Sequence, residues 1–507
     1  MTCCWLAWSI VFGFLGHTEA AVVDARSASF ADVASAVALA GQGDIVRVPE
    51  GTATWTAGLV IRKAVTLQGA GIGKTIIQDG LAKNENILVF NTTLNHFYRL
   101  TGFEFQPGER KTKFTKGCVL VTGNSKTVRI DHCKFYRVHN RSIYIRGAVC
   151  GVIDHCAFVT DTGEAFIALF HDAWGGKSWG DGSWASPIDW GGPNALYIED
   201  NDFNITSAPH GVVDEYAGAR FVFRHNTVTN GVIASHGTGS TGRSRSVRQW
   251  EIYNNTCTFH PATPGNAMHL RGGTGVVFDN TAVGMSQFLT LHTYRYHTAF
   301  AKWSGSDGSC NWDLNDPKVY ASGIAGAGSG IGPKGSGGTL VVPGAGWSTN
   351  EWVGYTVKNL DGLANIQPRG SKGAGPGPFF SAVVSNTSDT IIVEAGSQQP
   401  NKVFSPGDRF EIRKVIQGLD MIGASTGELL SGKAPTPRWL NQKIEPVYVW
   451  NNAFNGIATA GVAVASDSPI KEGVHFFNNK RKSDYKPFVY PHPLVKEENT
   501  SPSDAAK

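Results

Sequence analysis

Four short segments place chemically capable residues at matching positions. Ile143-Tyr-Ile-Arg146, Ile233-Ala-Ser-His236, Met268-His-Leu-Arg271 and Leu289-Thr-Leu-His292 share a pattern of apolar, variable, apolar or small, polar. Side chains alternate along a strand, so Arg146, His236, Arg271 and His292 are expected on one face, in a row with about 4.8 Å between neighbouring strands. Asp214 or Glu215, after Gly211-Val-Val213, is expected at the corresponding place one repeat before His236. A row mixing carboxylate, imidazole and guanidinium suits β-elimination on a uronic acid. That reaction needs a cation beside the sugar carboxylate to acidify the adjacent C–H, and a base to take the proton. The reading gives His236 the role of base and assigns Arg271 and Arg248 to the carboxylate. Asp214 is a further catalytic candidate, and Arg146, His269 and His292 are candidate contacts to the rest of the substrate.

Other residues extend or compete with that reading. Arg243, Arg245 and Arg248 follow His236 in a Gly/Ser-rich stretch that could clamp an anionic chain, although a charged exposed loop is equally ordinary. Trp174, Trp179, Trp184 and Trp190 lie among glycines between His171 and Trp190. They offer flat apolar faces for sugar rings, or plugs for an open edge of the fold. A glycoside hydrolase would need two carboxyl groups flanking the scissile bond. Asp214 with Glu215 is the obvious pair, with Glu251 and Asp172 as others, but neighbours on a strand point to opposite faces. The row also reads as solvated surface with local salt bridges. Asp307-Gly-Ser-Cys-Asn-Trp-Asp313-Leu-Asn-Asp316 loosely resembles a Ca2+-ligating loop without full EF-hand spacing, so Ca2+ is an open cofactor candidate and no other is indicated. Gly69–Thr75 departs from a phosphate-binding loop, because Gln68 stands where the first glycine belongs. The Asp-His-Cys triplets at 131–133 and 154–156 resemble metal or nucleophile clusters, yet they sit at matching places in a repeat, which explains them structurally.

That repeat supplies the elements that must position these residues. An apolar strand runs into Asn or Asp and then a second apolar position in Val128–Phe135, Gly151–Phe158, Tyr197–Phe203, Val222–Val228, Glu251–Cys257, Val277–Val283 and Tyr448–Phe454. Most copies lie roughly 23 to 30 residues apart, a period that signals stacked coils of a solenoid. Leucine-rich repeats have similar periods but need recurrent Leu and a helical half, whereas Val, Ile, Phe and Asn dominate here. Phe30–Ala40 has helical spacing, with Ser29 as N-cap and Gly41 as stop, and predicts one capping helix. A glycine-rich stretch at 323–338 precedes strand patterns through Phe410-Glu-Ile412, which suggests a small inserted β-module. The capping helix followed by Gly43–Gly51, the segment Val65-Thr-Leu-Gln-Gly-Ala-Gly71 and the Asn-bearing coils resemble the pectate-lyase-like superfamily of right-handed parallel β-helix proteins. The resemblance implies an all-β right-handed parallel β-helix and an extracellular polysaccharide partner. It does not choose among the lyases, glycoside hydrolases, esterases and non-catalytic binders of that superfamily, and no motif carries over a particular lyase's catalytic residues.

Composition agrees with a folded chain: 507 residues are 41% hydrophobic and 17% charged, with 61 glycines. A net charge of +4, without a basic run, argues against nucleic-acid or membrane-surface binding and leaves an anionic glycan acceptable. The apolar run Cys3–Leu15, with a small residue near Ala20, predicts a signal peptide and a secreted or periplasmic protein. No later stretch is apolar enough to span a bilayer. Export permits disulfides, a Cys150–Cys156 pair among them, although Cys133 and Cys156 read better as core residues. The expected organisation is a leader (1–20), a β-helix (21–321), a linker and module (322–415), the last coils (416–495) and a loose tail (496–507), acting as a monomer.

Overall fold

The structure is a computed structural model that describes residues 20–108, 117–138, 141–161, 166–206, 210–237, 244–293, 319–331, 336–353, 355–364, 377–394, 404–414, 420–424, 444–458, 460–465 and 470–496. The leader, the tail beyond 496, Arg243 and the segment Asp307–Asp316 lie outside the described residues.

Short strands ending in turn residues cannot each bury a face alone, so they stack in parallel, coil upon coil. The chain is an all-β parallel β-helix built on two large parallel sheets, of 16 and 13 strands among the described residues. One ladder runs from Val22–Asp24 through Ile45–Arg47, Thr66–Gln68 and Tyr98–Thr101 to Val119–Asp131, Ile143–Asp154 and Leu196–Glu199. It continues through Arg220–Arg224, Gln249–Tyr253, Thr274–Phe278, Val447–Trp450 and Phe476–Asn478. Another follows Gly51–Trp55, Thr75–Asp79, Glu104–Pro107, Lys134–Tyr136, Ala157–Thr160, Asp202–Ile205 and Thr227–Thr229 into Thr256–Leu270. Two long strands turn a corner: Val119–Asp131 pairs with Leu88–Thr92 at its start and with Tyr98–Thr101 at its end, and Ile143–Asp154 pairs with Ile167–Phe170 at its start and with Leu196–Glu199 at its end.

The repeat seen in the sequence is the corner between the two ladders. Asp200, His225, Asn254, Asp279 and Asn451 take left-handed backbone conformations there, with φ between 51° and 57°. Asn, Asp and His tolerate that region better than most side chains. Each following residue (Asn201, Asn226, Asn255, Asn280, Asn452) is buried and stacked on the next. Asn201 Nδ2 donates to Asn226 Oδ1 at 3.1 Å, Asn226 to Asn255 at 3.1 Å, Asn255 to Asn280 at 2.9 Å, and Asn280 to Asn452 at 2.9 Å. The second amide hydrogen meets a backbone carbonyl, so no donor in the stack is left without an acceptor. Cys133 and Cys156 occupy this place in earlier coils and are free buried thiols, as is Cys150, so the Cys150–Cys156 disulfide is absent. Inside, Phe105, Phe135, Phe158 and Phe203 form an aromatic stack with centroids 5.2, 5.2 and 4.7 Å apart.

Helix Phe30–Leu39 covers the N-terminal end, with Ser29 accepting a hydrogen bond from Asp32 N and Val33, Ala36 and Val37 buried. The segment Tyr485–Lys496 is a strap across the outer face of the first sheet. The Arg224 guanidinium, ion-paired with Glu199, donates to Phe488 O and Val489 O, both at 2.9 Å. His492 N donates to Glu199 Oε1 at 2.7 Å, and Tyr485 OH to Glu251 Oε2 at 2.5 Å. Between Leu291 and Val447 the described residues form a separate antiparallel sheet of seven strands with its own core, including Leu340, Trp352, Val357, Ile391, Phe410 and Ile412. Part of the glycine-rich stretch expected as linker is strand in it: Ala321–Ile324 pairs with Arg409–Lys414. The helix then resumes in register, Val276 opposite Tyr448 and Val277 opposite Val449.

Candidate functional site

The third face of the solenoid carries the predicted row. Its interior positions are Ile143, Ile145, Ile167, Leu169, Val213, Met268, Leu270, Leu289 and Leu291, all fully buried. Alternation therefore sends Tyr144, Arg146, Ala168, Phe170, Asp214, Tyr216, Ala234, His236, His269, Arg271, Thr290 and His292 outward. Register fixes their order. Arg146 lies opposite Phe170, and Phe170 opposite Tyr216. His236 N donates to Glu215 O at 2.8 Å, which puts His236 beside Tyr216. Ile233 pairs with Met268, and Leu270 with Leu291, so His236, Arg271 and His292 are consecutive rungs.

One expectation needs correction. The place one coil before His236 belongs to Tyr216, not to Asp214 or Glu215. Asp214 is on the same face two residues back, opposite Ala168, and its carboxylate lies 3.3 Å from Arg141 Nη2. Glu215 points inward and is fully buried, and neither carboxyl oxygen has a hydrogen-bond partner among the described residues. Burial, reinforced by the neighbouring Asp214 charge, holds its pKa well above the carboxylate range, so it is a neutral acid in the core. The alternation that opposed an Asp214–Glu215 hydrolase pair is thus seen directly. Glu251 is buried on a different face, where it accepts from Tyr485 and Gly191 N.

At the centre of the row, His236 Nδ1 lies 2.8 Å from Gly237 O. A carbonyl only accepts, so in the neutral ring Nδ1 carries the proton and Nε2 the lone pair. The Tyr216 ring is 5.0 Å from the His236 ring and packs edge-on to Phe170 at 3.9 Å. Burial pushes the Tyr216 hydroxyl up to about 12. Arg271 is half-buried and oriented by Ser235, which accepts from Arg271 N at 2.9 Å through its hydroxyl and from Nε at 2.7 Å through its carbonyl. His269 and His292 stack at 5.5 Å, with His269 Nε2 3.3 Å from His292 Nδ1. Burial, then the charge of Arg271, lowers His269 to about 3 and keeps it neutral. His292 faces outward but is only 8% exposed. Arg146 is ion-paired with Asp172 at the other end of the row.

The second arginine group is not on this surface. Arg248 is fully buried, with Nη2 3.3 Å from Ser186 O and its guanidinium 4.9 Å from the Trp184 ring. Burial pushes its pKa well down. It cannot reach a substrate carboxylate from there, which corrects its catalytic assignment. Arg245 is also buried, bidentate on Asp420 at 2.7 Å and 3.3 Å from Asp181, and so ties the tryptophan loop to the coils instead of clamping a glycan. Trp184, 1% exposed and donating to Ser246 O at 3.0 Å, is the plug of that loop. Trp190 packs against Tyr485 on the strap side. Trp174 stacks with Arg220 and His171 and is partly open, while Trp179 is 48% exposed. Sequence reasoning missed Tyr216, Tyr144, Phe170 and Arg141. Ile167-Ala-Leu-Phe170 repeats only the apolar, variable, apolar part of the pattern and ends in Phe instead of a polar residue; its register carries over to Tyr216.

No protein-family model matches the chain, and no curated protein sequence matches it. Solved structures similar to it include the PL6 family polysaccharide lyase Pedsa3628 from Pseudopedobacter saltans, 14% identical with TM-score 0.32, over 54% of this chain and 66% of that one. The PL6 family alginate lyase AlyGC is 18% identical with TM-score 0.28, over 54% of this chain and 45% of its own. The enzymatically active domain of tailspike protein 4 from bacteriophage CBA120 is 12% identical with TM-score 0.28, over 76% of this chain and 65% of its own. The matched region is less than two thirds of each of these chains. Similarity at this level assigns no chemistry.

Proposed function

We propose that this chain is a secreted polysaccharide lyase that cleaves a uronic-acid-containing glycan by β-elimination. The observation that carries the reading is the run Tyr216, His236, Arg271 on consecutive coils of an outward face. Arg271, oriented by Ser235, pairs with the sugar carboxylate and stabilises the charge that builds on it as the α-hydrogen leaves. His236, with its lone pair on Nε2, removes that hydrogen. The electron pair forms the new C=C bond as the glycosidic C–O bond breaks, and the departing oxygen takes the Tyr216 hydroxyl proton. Arg141 and Arg146, each already beside an aspartate, extend the charged face toward neighbouring sugars. Among the described residues no helix is long and apolar enough to cross a membrane.

The test is incubation with acidic and neutral polysaccharides, following reducing ends and the ultraviolet absorbance of unsaturated sugar ends. Both signals on a uronate polymer, lost in His236→Ala, are expected. Reducing ends without absorbance would shift the reading to a hydrolase using Asp214 or Asp172. Binding without either signal would shift it to a non-catalytic glycan binder.

A further inference from the structure

Asp131-His132-Cys133 and Asp154-His155-Cys156 divide by where each side chain points. The aspartates and cysteines are buried, whereas the histidine side chains are 58% and 44% exposed. Both histidines hold left-handed corner positions, φ 49° and 51°, on adjacent coils. Their rings stack 5.1 Å apart and 5° from parallel. Nδ1 of His132 lies 2.8 Å from Asp131 Oδ2, and Nδ1 of His155 lies 2.9 Å from Asp154 Oδ2.

Those two carboxylates have their charge met without the imidazoles. Arg99 grips Asp131 through both oxygens, and Arg129 grips Asp154 likewise while lying 3.4 Å from Asp131. Two guanidiniums face two carboxylates, so charge balance does not require imidazolium. In a neutral ring the proton must sit on Nδ1, because the carboxylate only accepts, and the lone pair falls to Nε2 on the side away from the aspartate. A carboxylate behind Nδ1 is the arrangement that orients and strengthens a metal-binding histidine. Further along the corner the strap closes the equivalent positions: Tyr490 donates to Asp200 at 2.7 Å and stacks on His225 at 3.8 Å. His132 and His155 lie beyond that cover.

We propose that His132 and His155 form a two-histidine site for a borderline divalent transition-metal ion of the Zn2+, Ni2+ or Cu2+ class, which imidazole nitrogen suits. A tilt of the two exposed rings brings both Nε2 atoms onto one ion, and water completes its coordination. Among the described residues no group of three or more potential ligands gathers, so these residues supply two. The site lies on a different face from the proposed active site and is independent of the glycan reading.

The experiment is titration of the full chain with Cu2+, by calorimetry and electron paramagnetic resonance, for the wild type, His132→Asn, His155→Asn and the double variant. Asn is chosen because Asn254 and Asn451 hold the same corner position with φ 56° and 51°. The expected result is one more bound ion in the wild type than in the double variant, with imidazole nitrogen coupling in its spectrum. At least a tenfold loss of affinity for that ion is expected in either single variant. Equal stoichiometry and affinity in wild type and double variant, or single variants that bind as the wild type does, would overturn the proposal.

Discussion

Two residues decide how the proposed site reacts to substitution and pH. His236→Ala should lower kcat by about 100- to 10,000-fold, the range of a lost general base, with an unchanged circular dichroism spectrum. Tyr216→Phe, which keeps the ring against Phe170, should lower kcat without unfolding the face. Glu215 belongs to stability instead. Its pKa is raised in the folded state, so above the unfolded carboxyl's range the native protein binds a proton that the unfolded chain has released. Stability therefore falls as pH rises through that window, by about 1.4 kcal/mol per pH unit for one proton. Glu215→Leu removes that slope. Its melting temperature should exceed the wild type's at pH 8, with the gap closing toward pH 5; a gap independent of pH would reject the assignment.

Elements set the tolerances around those residues. The Phe105–Phe203 stack fills the solenoid interior, so Phe158→Ala should cost about 3–5 kcal/mol in denaturant unfolding, as for other large-to-small core changes. The asparagine stack is more specific. Asn255→Ala leaves Asn226 N without its side-chain acceptor and removes the amide donor from Phe223 O, and should cost about 1–3 kcal/mol. These elements were legible in the sequence, because the recurring Asn or Asp marks the corner and the following Phe or Val marks the interior. The coil Ile167–Phe170 was not, because its outward position holds Phe instead of a charge and the tryptophan loop interrupts the period after it. Missing that rung is what misplaced Asp214 and hid Tyr216.

Across the whole molecule, contacts far apart in sequence hold the coils together. The strap reaches Glu251 over 234 positions, and Tyr485→Phe removes the 2.5 Å donor to that buried carboxyl. A loss of about 1–3 kcal/mol is expected, read by chemical denaturation. Buried imidazoles make the fold acid-sensitive. Burial is the leading cause that lowers His171 to about 4, and His269 and His492 to about 3. Below the unfolded histidine range the unfolded chain takes up protons that the folded chain refuses. These three sites therefore remove stability as pH falls from about 6.5 toward 4, up to roughly 4 kcal/mol per pH unit. A melting temperature that held constant from pH 6.5 to 4 would contradict this.

The sequence by itself determined the solenoid, the capping helix and the outward phase of Arg146, His236, Arg271 and His292, because periodicity and strand alternation are local properties of the chain. Only tertiary structure decided which charged side chains meet solvent. Arg245 and Arg248 read as an exposed basic loop, yet the tryptophan loop and Asp420, 175 positions from Arg245, close over them. Burial and partner choice at such distances depend on how coils and loops stack, and no local pattern encodes that.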